Sequence, residues 1–290
     1  MASAFKGMIL LTLLTVSINC GKSTARSSDT SKNGAQKTAN TNPINQSSNA
    51  EPPVKNSSKV IHVLVTLCDN VNQGIVPVPA RLGNGEDLKD NLYWGAAYGV
   101  KAFFAKSPDW KLVAQILNPQ EAILERCIFK HKTRDVYMVA DAYRGAQIKQ
   151  TITDFFAYAA GSKGENLRAN QVALRCGDGA DLIAFVGHNG LMDFNLSSQA
   201  KQQDDKHRDA IMLCCASKNY FAAPLKATGA NPLLWTTNLM APEAYILHAA
   251  INGWLQNESG EQIRMRAAEA YNKYQRCGLR AARNLFSSSW

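Results

Sequence analysis

The chain has 290 residues, of which 46% are hydrophobic and 19% are charged, with 19 glycines and 10 prolines. This composition excludes a collagen, a coiled coil and a fully disordered chain, and it supplies enough apolar side chains for a sizeable core. The formal net charge is +9. No run of Lys and Arg is interleaved with aromatic residues, so we expect no nucleic-acid partner.

The first segment has the order of a secretory signal. Lys6 precedes an apolar run from Met8 to Val16, and small or polar residues then lead to Cys20. The run is too short for a membrane-spanning helix, which needs about 20 apolar residues. A cysteine directly after such a segment resembles the lipobox of bacterial lipoproteins, in which the thiol receives diacylglycerol. The resemblance implies a signal peptide over 1–19, lipidation of Cys20 and a place in the bacterial cell envelope; plain secretion is the alternative.

The segment that follows is predominantly polar. Between positions 21 and 59, Ser, Thr, Asn and Gln supply 20 of 39 residues, and aromatic side chains are absent. Such a segment cannot bury enough apolar surface to offset the entropy lost on ordering. We therefore expect residues 20–59 to form a flexible linker behind the lipid anchor, and residues 60–290 to form a single folded domain.

Five short, nearly continuous apolar runs are typical of strands covered on both faces. In chain order they are Val60–Cys68, Asp135–Ala140, Asp181–Gly187, Ala210–Cys214 and Pro232–Thr236. Helical patterns lie between and after them, at Asn91–Lys106, Ala146–Ala160, Lys218–Thr228, Pro242–Gln256 and Glu261–Arg283. Ser259 and Gln262 fit a capping box at the start of the last helix. The alternation predicts an α/β domain, a three-layer sandwich with a mainly parallel sheet between layers of helices.

Chemistry is expected at the carboxyl ends of these strands, where open parallel sheets bind ligands. The third run leads into His188, and the fourth into Cys214 and Cys215. Neighbouring strands lie about 4.8 Å apart, so an imidazole at one strand end can take a thiol proton at the next and return it to a leaving group. Backbone N–H groups of Cys215 and of the Asn189–Gly190 turn are the predicted oxyanion donors.

An apolar strand that runs into His188, and a later one that runs into Cys215, resemble the motifs of the caspase-like cysteine peptidases, which include caspases, legumains, clostripain and gingipains. The resemblance covers about Val60–Trp254. It implies a caspase-like fold with a catalytic dyad of His188 and Cys215, and it puts Cys214 at the small-residue position before the nucleophile. Cys215 is therefore the preferred nucleophile and Cys214 the alternative. Asn189 stands where the family has glycine.

Three acidic residues follow the predicted strands and could face the same cleft at the carboxyl ends of the strands. A carboxylate there would select a basic substrate side chain or orient His188. Of Asp69, Asp141 and Asp193, we prefer Asp69, because the end of the first strand contributes to the specificity pocket in the caspase-like fold. Each of the three could instead cap a loop or a helix.

The expected function is that of a lipid-anchored cysteine peptidase that acts on a peptide or protein substrate and contacts the membrane through its N-terminal lipid. No metal or other cofactor is expected, because Cys-x-x-Cys, His-Glu-x-x-His, P-loop and Gly-x-Gly-x-x-Gly patterns are absent. The alternatives are a non-catalytic caspase-like lipoprotein that binds a ligand in the same cleft, and a purely structural envelope protein. The cysteines after Cys20 could form disulfides in an exported protein or stay as free thiols.

Overall fold

A computed structural model describes residues 57–169 and 171–290. These residues lie within a compact unit that spans Ala50–Trp290. The predicted signal peptide, the predicted lipidation site Cys20 and nearly all of the predicted linker lie outside the described residues. Among the residues that are described, no helix combines the length and the hydropathy needed to cross a membrane.

The described ranges contain ten strands and six α-helices. The strands are β1 (Lys59–Thr66), β2 (Trp110–Gln120), β3 (Ile123–His131), β4 (Val136–Tyr143), β5 (Gly164–Ala169), β6 (Val172–Gly177), β7 (Leu182–Val186), β8 (Asp209–Leu213), β9 (Asn231–Thr236) and β10 (Phe286–Ser287). The α-helices are α1 (Val100–Lys106), α2 (Ile148–Ala159), α3 (Ser217–Thr228), α4 (Ala244–Leu255), α5 (Gly260–Gln275) and α6 (Leu279–Leu285). Short 3-10 helices cover Gly145–Gln147 and Gly190–Met192.

Eight of the strands form one sheet in the order β10-β9-β8-β7-β1-β4-β3-β2. The five strands from β9 to β4 are parallel, whereas β10, β3 and β2 run antiparallel to their neighbours. The remaining two strands, β5 and β6, form a separate antiparallel hairpin. The prediction of an α/β domain with a mainly parallel sheet flanked by helices is confirmed. Because the chain moves from β1 to β4 on one side and later to β7 on the other, the strand order reverses at β1, and ligands bind near such a reversal.

Two apolar cores cover the two faces of the sheet. Residues of β1 alternate between them. Ile61 and Val63 pack with α1, α4, α5 and α6, whereas Val60 and Leu64 pack with α2, α3 and the β5–β6 hairpin. Both faces of the central strands are therefore buried, which is the physical reason for their continuous apolar sequence.

Two predicted helices differ from the observed ones. The segment 91–99 is not helical, because Asn91 holds it against the end of β1: Asn91 Oδ1 accepts the Cys68 N–H over 3.0 Å, and Asn91 Nδ2 donates to the Cys68 carbonyl over 2.8 Å. The helix predicted over Glu261–Arg283 is two helices, since Arg276 adopts a left-handed φ of 51° and ends α5. The predicted capping box of Ser259 and Gln262 is confirmed.

Candidate functional site

The predicted histidine and cysteine leave neighbouring strands at the same edge of the sheet. β7 and β8 are parallel neighbours, and Val186 pairs with Leu213 near their carboxyl ends. His188 and Cys215 follow these two residues at the same offset along each chain segment. The Asn189 side chain then joins the two loops, because its Nδ2 donates to the carbonyl oxygen of Cys215 over 2.7 Å.

The His188 imidazole is oriented by Asp193. Its Nε2 lies 2.6 Å from Asp193 Oδ2. The same carboxylate oxygen accepts the Gly74 N–H over 3.1 Å, which ties the loop after β1 to the loop after β7. An imidazole that donates its Nε2–H to a carboxylate keeps a basic lone pair on Nδ1. Nδ1 is therefore the ring nitrogen that is left to accept a proton from a thiol.

Of the two adjacent cysteines, Cys215 is the one that a substrate can reach. Cys214 is fully buried in the core beneath α2 and α3, and this burial raises the pKa of its thiol well above the ordinary value. Such a thiol stays protonated and is a poor nucleophile. Cys215 is half-buried, and its Sγ lies between the N–H and the carbonyl oxygen of Met240, at 3.4 Å and 3.5 Å. No hydrogen bond joins this sulfur to the His188 ring within the part of the chain that the structure describes.

A strained turn presents the Cys215 thiol. The next residue, Ala216, has φ 48° and ψ 36°, the left-handed conformation. This conformation costs a residue with a Cβ about 1–2 kcal/mol. The Ala216 N–H donates to the Asn238 carbonyl over 2.9 Å, and α3 begins at the following residue. Strain that neighbouring contacts hold in this way is concentrated at functional sites.

The backbone donors at the site differ from the expectation in one respect. The Gly190 N–H donates to the His188 carbonyl over 3.1 Å, so it is occupied within the turn. In residues 57–169 and 171–290, the N–H groups of Asn189 and Cys215 have no acceptor. These two groups are the candidates to stabilise an oxyanion, since an N–H group without an acceptor breaks no hydrogen bond when the charge forms.

Asp69 shapes the loop after β1, and among the described residues no hydrogen bond or ion pair joins it to the His188 imidazole. Its Oδ1 accepts the N–H groups of Val71 and Asn72 over 2.8 Å and 3.1 Å, and its Oδ2 accepts the Asn72 side-chain amide over 2.8 Å. Three hydrogen bonds to one carboxylate are typical of a loop cap. The carboxylate that contacts His188 is that of Asp193.

The prediction that Asp141 faces the cleft is wrong, because β4 continues past the predicted strand end and carries Asp141 inside the sheet. Asp141 is fully buried, and it lies 2.6 Å from Arg126 Nε and 3.0 Å from His62 Nε2. Burial alone would raise the pKa of Asp141, but the Arg126 guanidinium and the His62 imidazole offset this and lower it to about 2. Asp141, Arg126 and His62 form a buried ion-pair network within the domain.

Two contacts at the site involve residues that the sequence patterns did not single out, Gly74 and Met240. A Cβ on Gly74 would lie 2.9 Å from Asp193 Cγ, so a side chain at this position requires the Asp193 carboxylate to move. Met240 contacts the Cys215 sulfur through its backbone alone, so its side-chain type carries no signal. Gly74 is one of several glycines between β1 and α1, so its residue type alone does not single it out.

Within residues 57–169 and 171–290, no group of three or more His, Cys, Asp or Glu side chains is arranged to hold a metal ion, and the six described cysteines are free thiols. Comparison with protein-family models, with curated proteins and with solved structures found no match to the chain. The chemistry of the site is therefore inferred from its geometry.

Proposed function

We propose that the chain is a lipid-anchored cysteine peptidase with a caspase-like domain, in which Cys215 is the nucleophile and His188 transfers the proton. The observation that carries the proposal is the 2.7 Å hydrogen bond from Asn189 Nδ2 to the Cys215 carbonyl, since it joins the histidine loop to the cysteine loop. The half-buried state of Cys215 and the order of His and Cys along the chain also support it. Export and anchoring are supported by the residue pattern that ends at Cys20.

In the proposed reaction, His188 Nδ1 takes the Cys215 proton, and the sulfur forms a bond to the carbonyl carbon of a peptide. The N–H groups of Asn189 and Cys215 stabilise the tetrahedral oxyanion. The carbon–nitrogen bond then breaks, and the imidazolium gives its proton to the leaving amine. The same imidazole takes a proton from water, which hydrolyses the thioester and releases the carboxylic acid product and the free thiol.

Asp193 acts through His188 and is a positioning residue. Its carboxylate fixes the tautomer in which Nδ1 is basic, and it stabilises the imidazolium that forms. In the proposed dyad the Cys215 sulfur exchanges its two long hydrogen bonds to Met240 for the imidazole, in the free protein as well as in the substrate complex. Hydrogen bonds of catalytic groups in unliganded enzymes are commonly long.

The proposal is tested with the full-length protein, a mixed peptide library and mass spectrometry of the products. We expect the wild type to cleave a subset of the library, and Cys215→Ser to lower the rate by at least about a thousandfold. Cys277→Ser is the matched control, because Cys277 is an exposed thiol after the end of α5. It should retain full activity. Cleavage by Cys215→Ser at the wild-type rate, or no cleavage by the wild type, contradicts the proposal.

The second candidate is a non-catalytic lipoprotein that binds a peptide or an envelope ligand at the same edge of the sheet. This candidate is favoured because the Cys215 and His188 side chains contact different partners rather than each other. Cys215 contacts Met240, and His188 contacts Asp193. A binding protein has no need of the thiol. Cys215→Ala therefore leaves binding and cellular phenotype intact if this candidate is right, and abolishes the phenotype if the protein is a peptidase.

A further inference from the structure

Four exposed apolar side chains lie on the segments that follow β1, β7 and β9, close in sequence to residues that contact His188 or Cys215. Val71 and Val76 are 87% and 88% exposed, Leu239 is 68% exposed and Met192 is 44% exposed. We call these four residues the apolar rim. Among the described residues nine large apolar side chains are exposed. The four of the rim lie on the three connecting segments that follow the carboxyl ends of β1, β7 and β9. Single exposed apolar residues need no explanation, but a group of them marks a binding surface.

Two loops of the apolar rim meet at the carboxylate that orients His188. Gly74 lies between Val71 and Val76, and its N–H donates to Asp193 Oδ2 over 3.1 Å. Met192 directly precedes Asp193. The rim side chains on these two loops are therefore within a few residues of a group that contacts the imidazole.

The third loop of the apolar rim contacts the thiol. Leu239 directly precedes Met240, whose N–H and carbonyl oxygen lie 3.4 Å and 3.5 Å from Cys215 Sγ. The Ala241 N–H donates to the Tyr271 hydroxyl over 3.3 Å, which fixes this loop against α5. Leu239 is therefore one residue from the backbone groups that contact Cys215 Sγ.

Two carboxylates that lie close in sequence to the apolar rim, those of Asp69 and Asp193, already accept hydrogen bonds from the protein. Asp69 accepts three hydrogen bonds from its own loop, and Asp193 accepts from His188 and Gly74. A basic side chain of a substrate would share these carboxylates with their present partners, and it would lose hydration when it binds. Apolar side chains of a substrate, in contrast, would bury rim surface that is now in water, which is favourable.

We infer that the site accepts an extended peptide segment with uncharged, apolar side chains next to the scissile bond. This inference rests on the proposed peptidase function and specifies its substrate class. It replaces the selection of a basic residue by Asp69 that the sequence led us to expect.

The test uses three fluorogenic peptides that are identical except for Leu, Lys or Glu before the scissile bond. The full-length wild type is compared with Val76→Asp and Leu239→Asp. Leu117→Asp is the matched control, because Leu117 is 61% exposed but lies on β2, the last strand in the order of the sheet. The rate of Cys215 alkylation by iodoacetamide is measured for each protein.

We expect kcat/KM for the Leu peptide to exceed the other two by at least about tenfold. Each rim variant should lower kcat/KM for the Leu peptide by about five- to tenfold through KM, with Leu117→Asp and the Cys215 alkylation rates unchanged. Equal cleavage of the three peptides, or an equal loss in Leu117→Asp, overturns this inference and leaves the peptidase proposal standing. No cleavage of any peptide, with Cys215 alkylated no faster than the exposed Cys277, overturns both.

Discussion

The substitution Gly74→Ala is expected to disturb the orientation of His188 without unfolding the domain. A Cβ on Gly74 would lie 2.9 Å from Asp193 Cγ and 3.0 Å from Oδ2. Carbon atoms pack at about 3.5–4.0 Å, so the carboxylate must retreat by roughly 1 Å. The bond between Oδ2 and His188 Nε2, now 2.6 Å, then stretches beyond the ordinary hydrogen-bond range.

Displacement of a catalytic group by about 1 Å lowers rates by up to about a hundredfold. We therefore expect kcat/KM of Gly74→Ala to fall by about 10- to 100-fold, chiefly through kcat. Because the Asp193 side chain is partly exposed, it can move into solvent, and the midpoint of thermal unfolding should fall by less than about 4 °C.

Peptide hydrolysis and calorimetry on the same preparations check this prediction. Gly260→Ala, at the first residue of α5, is the control, because its Cβ would approach Ser288 no closer than 3.2 Å and the residue is not part of the candidate site. It should keep full activity. Full activity in Gly74→Ala would refute the orienting role of Asp193. If the loss of activity is accompanied by a large fall in the unfolding midpoint, the claim that Gly74→Ala disturbs His188 without destabilising the domain is refuted.

Asp141→Asn leaves the buried Arg126 cation without its main partner, so the free energy of unfolding measured in urea at pH 7 should fall by about 3–5 kcal/mol; a smaller change than 1 kcal/mol contradicts a buried ion pair. In the wild type the pKa of Asp141 is about 2 against an ordinary 3.8, so roughly 2 kcal/mol of stability that is present above about pH 4 should be lost as the pH falls towards 2. The same urea titrations at low pH check this sign. Ala216→Gly relieves a left-handed φ, and it should raise the midpoint of thermal unfolding by about 2–4 °C in calorimetry; a lower midpoint contradicts the strain.

The five parallel strands could be predicted because both of their faces are buried, which makes their sequences continuously apolar. β2 and β3 could not. β3 is buried but contains Glu125 and Arg126, whose burial depends on partners elsewhere: Glu125 lies 2.7 Å from Lys101 Nζ, and Arg126 pairs with Asp141. From the local sequence alone, such charged residues are predicted to be exposed. β2 is an edge strand with bulges and a mixed burial pattern, so its sequence resembles a loop.

For the candidate site as well, only part could be predicted from the sequence. The strand-end rule picked His188 and Cys215, because it depends only on where apolar runs stop. The choice of Asp193 over Asp69 depends on the 3-10 helix Gly190–Met192, which turns the chain so that Asp193 meets His188 Nε2. The carbonyl that Asn189 contacts depends equally on the register of β7 and β8. Neither feature has a signature in the local sequence.

The rate at which iodoacetamide alkylates each thiol, read by mass spectrometry of the full-length protein, reports whether His188 activates Cys215. An ordinary thiol is only about 3% ionised at pH 7. A thiol that shares its proton with an imidazole should therefore react at least about tenfold faster than the exposed Cys277. We expect that excess for Cys215 in the wild type and its loss in His188→Ala. A Cys215 that reacts no faster than Cys277, or equally fast in His188→Ala, would contradict the dyad.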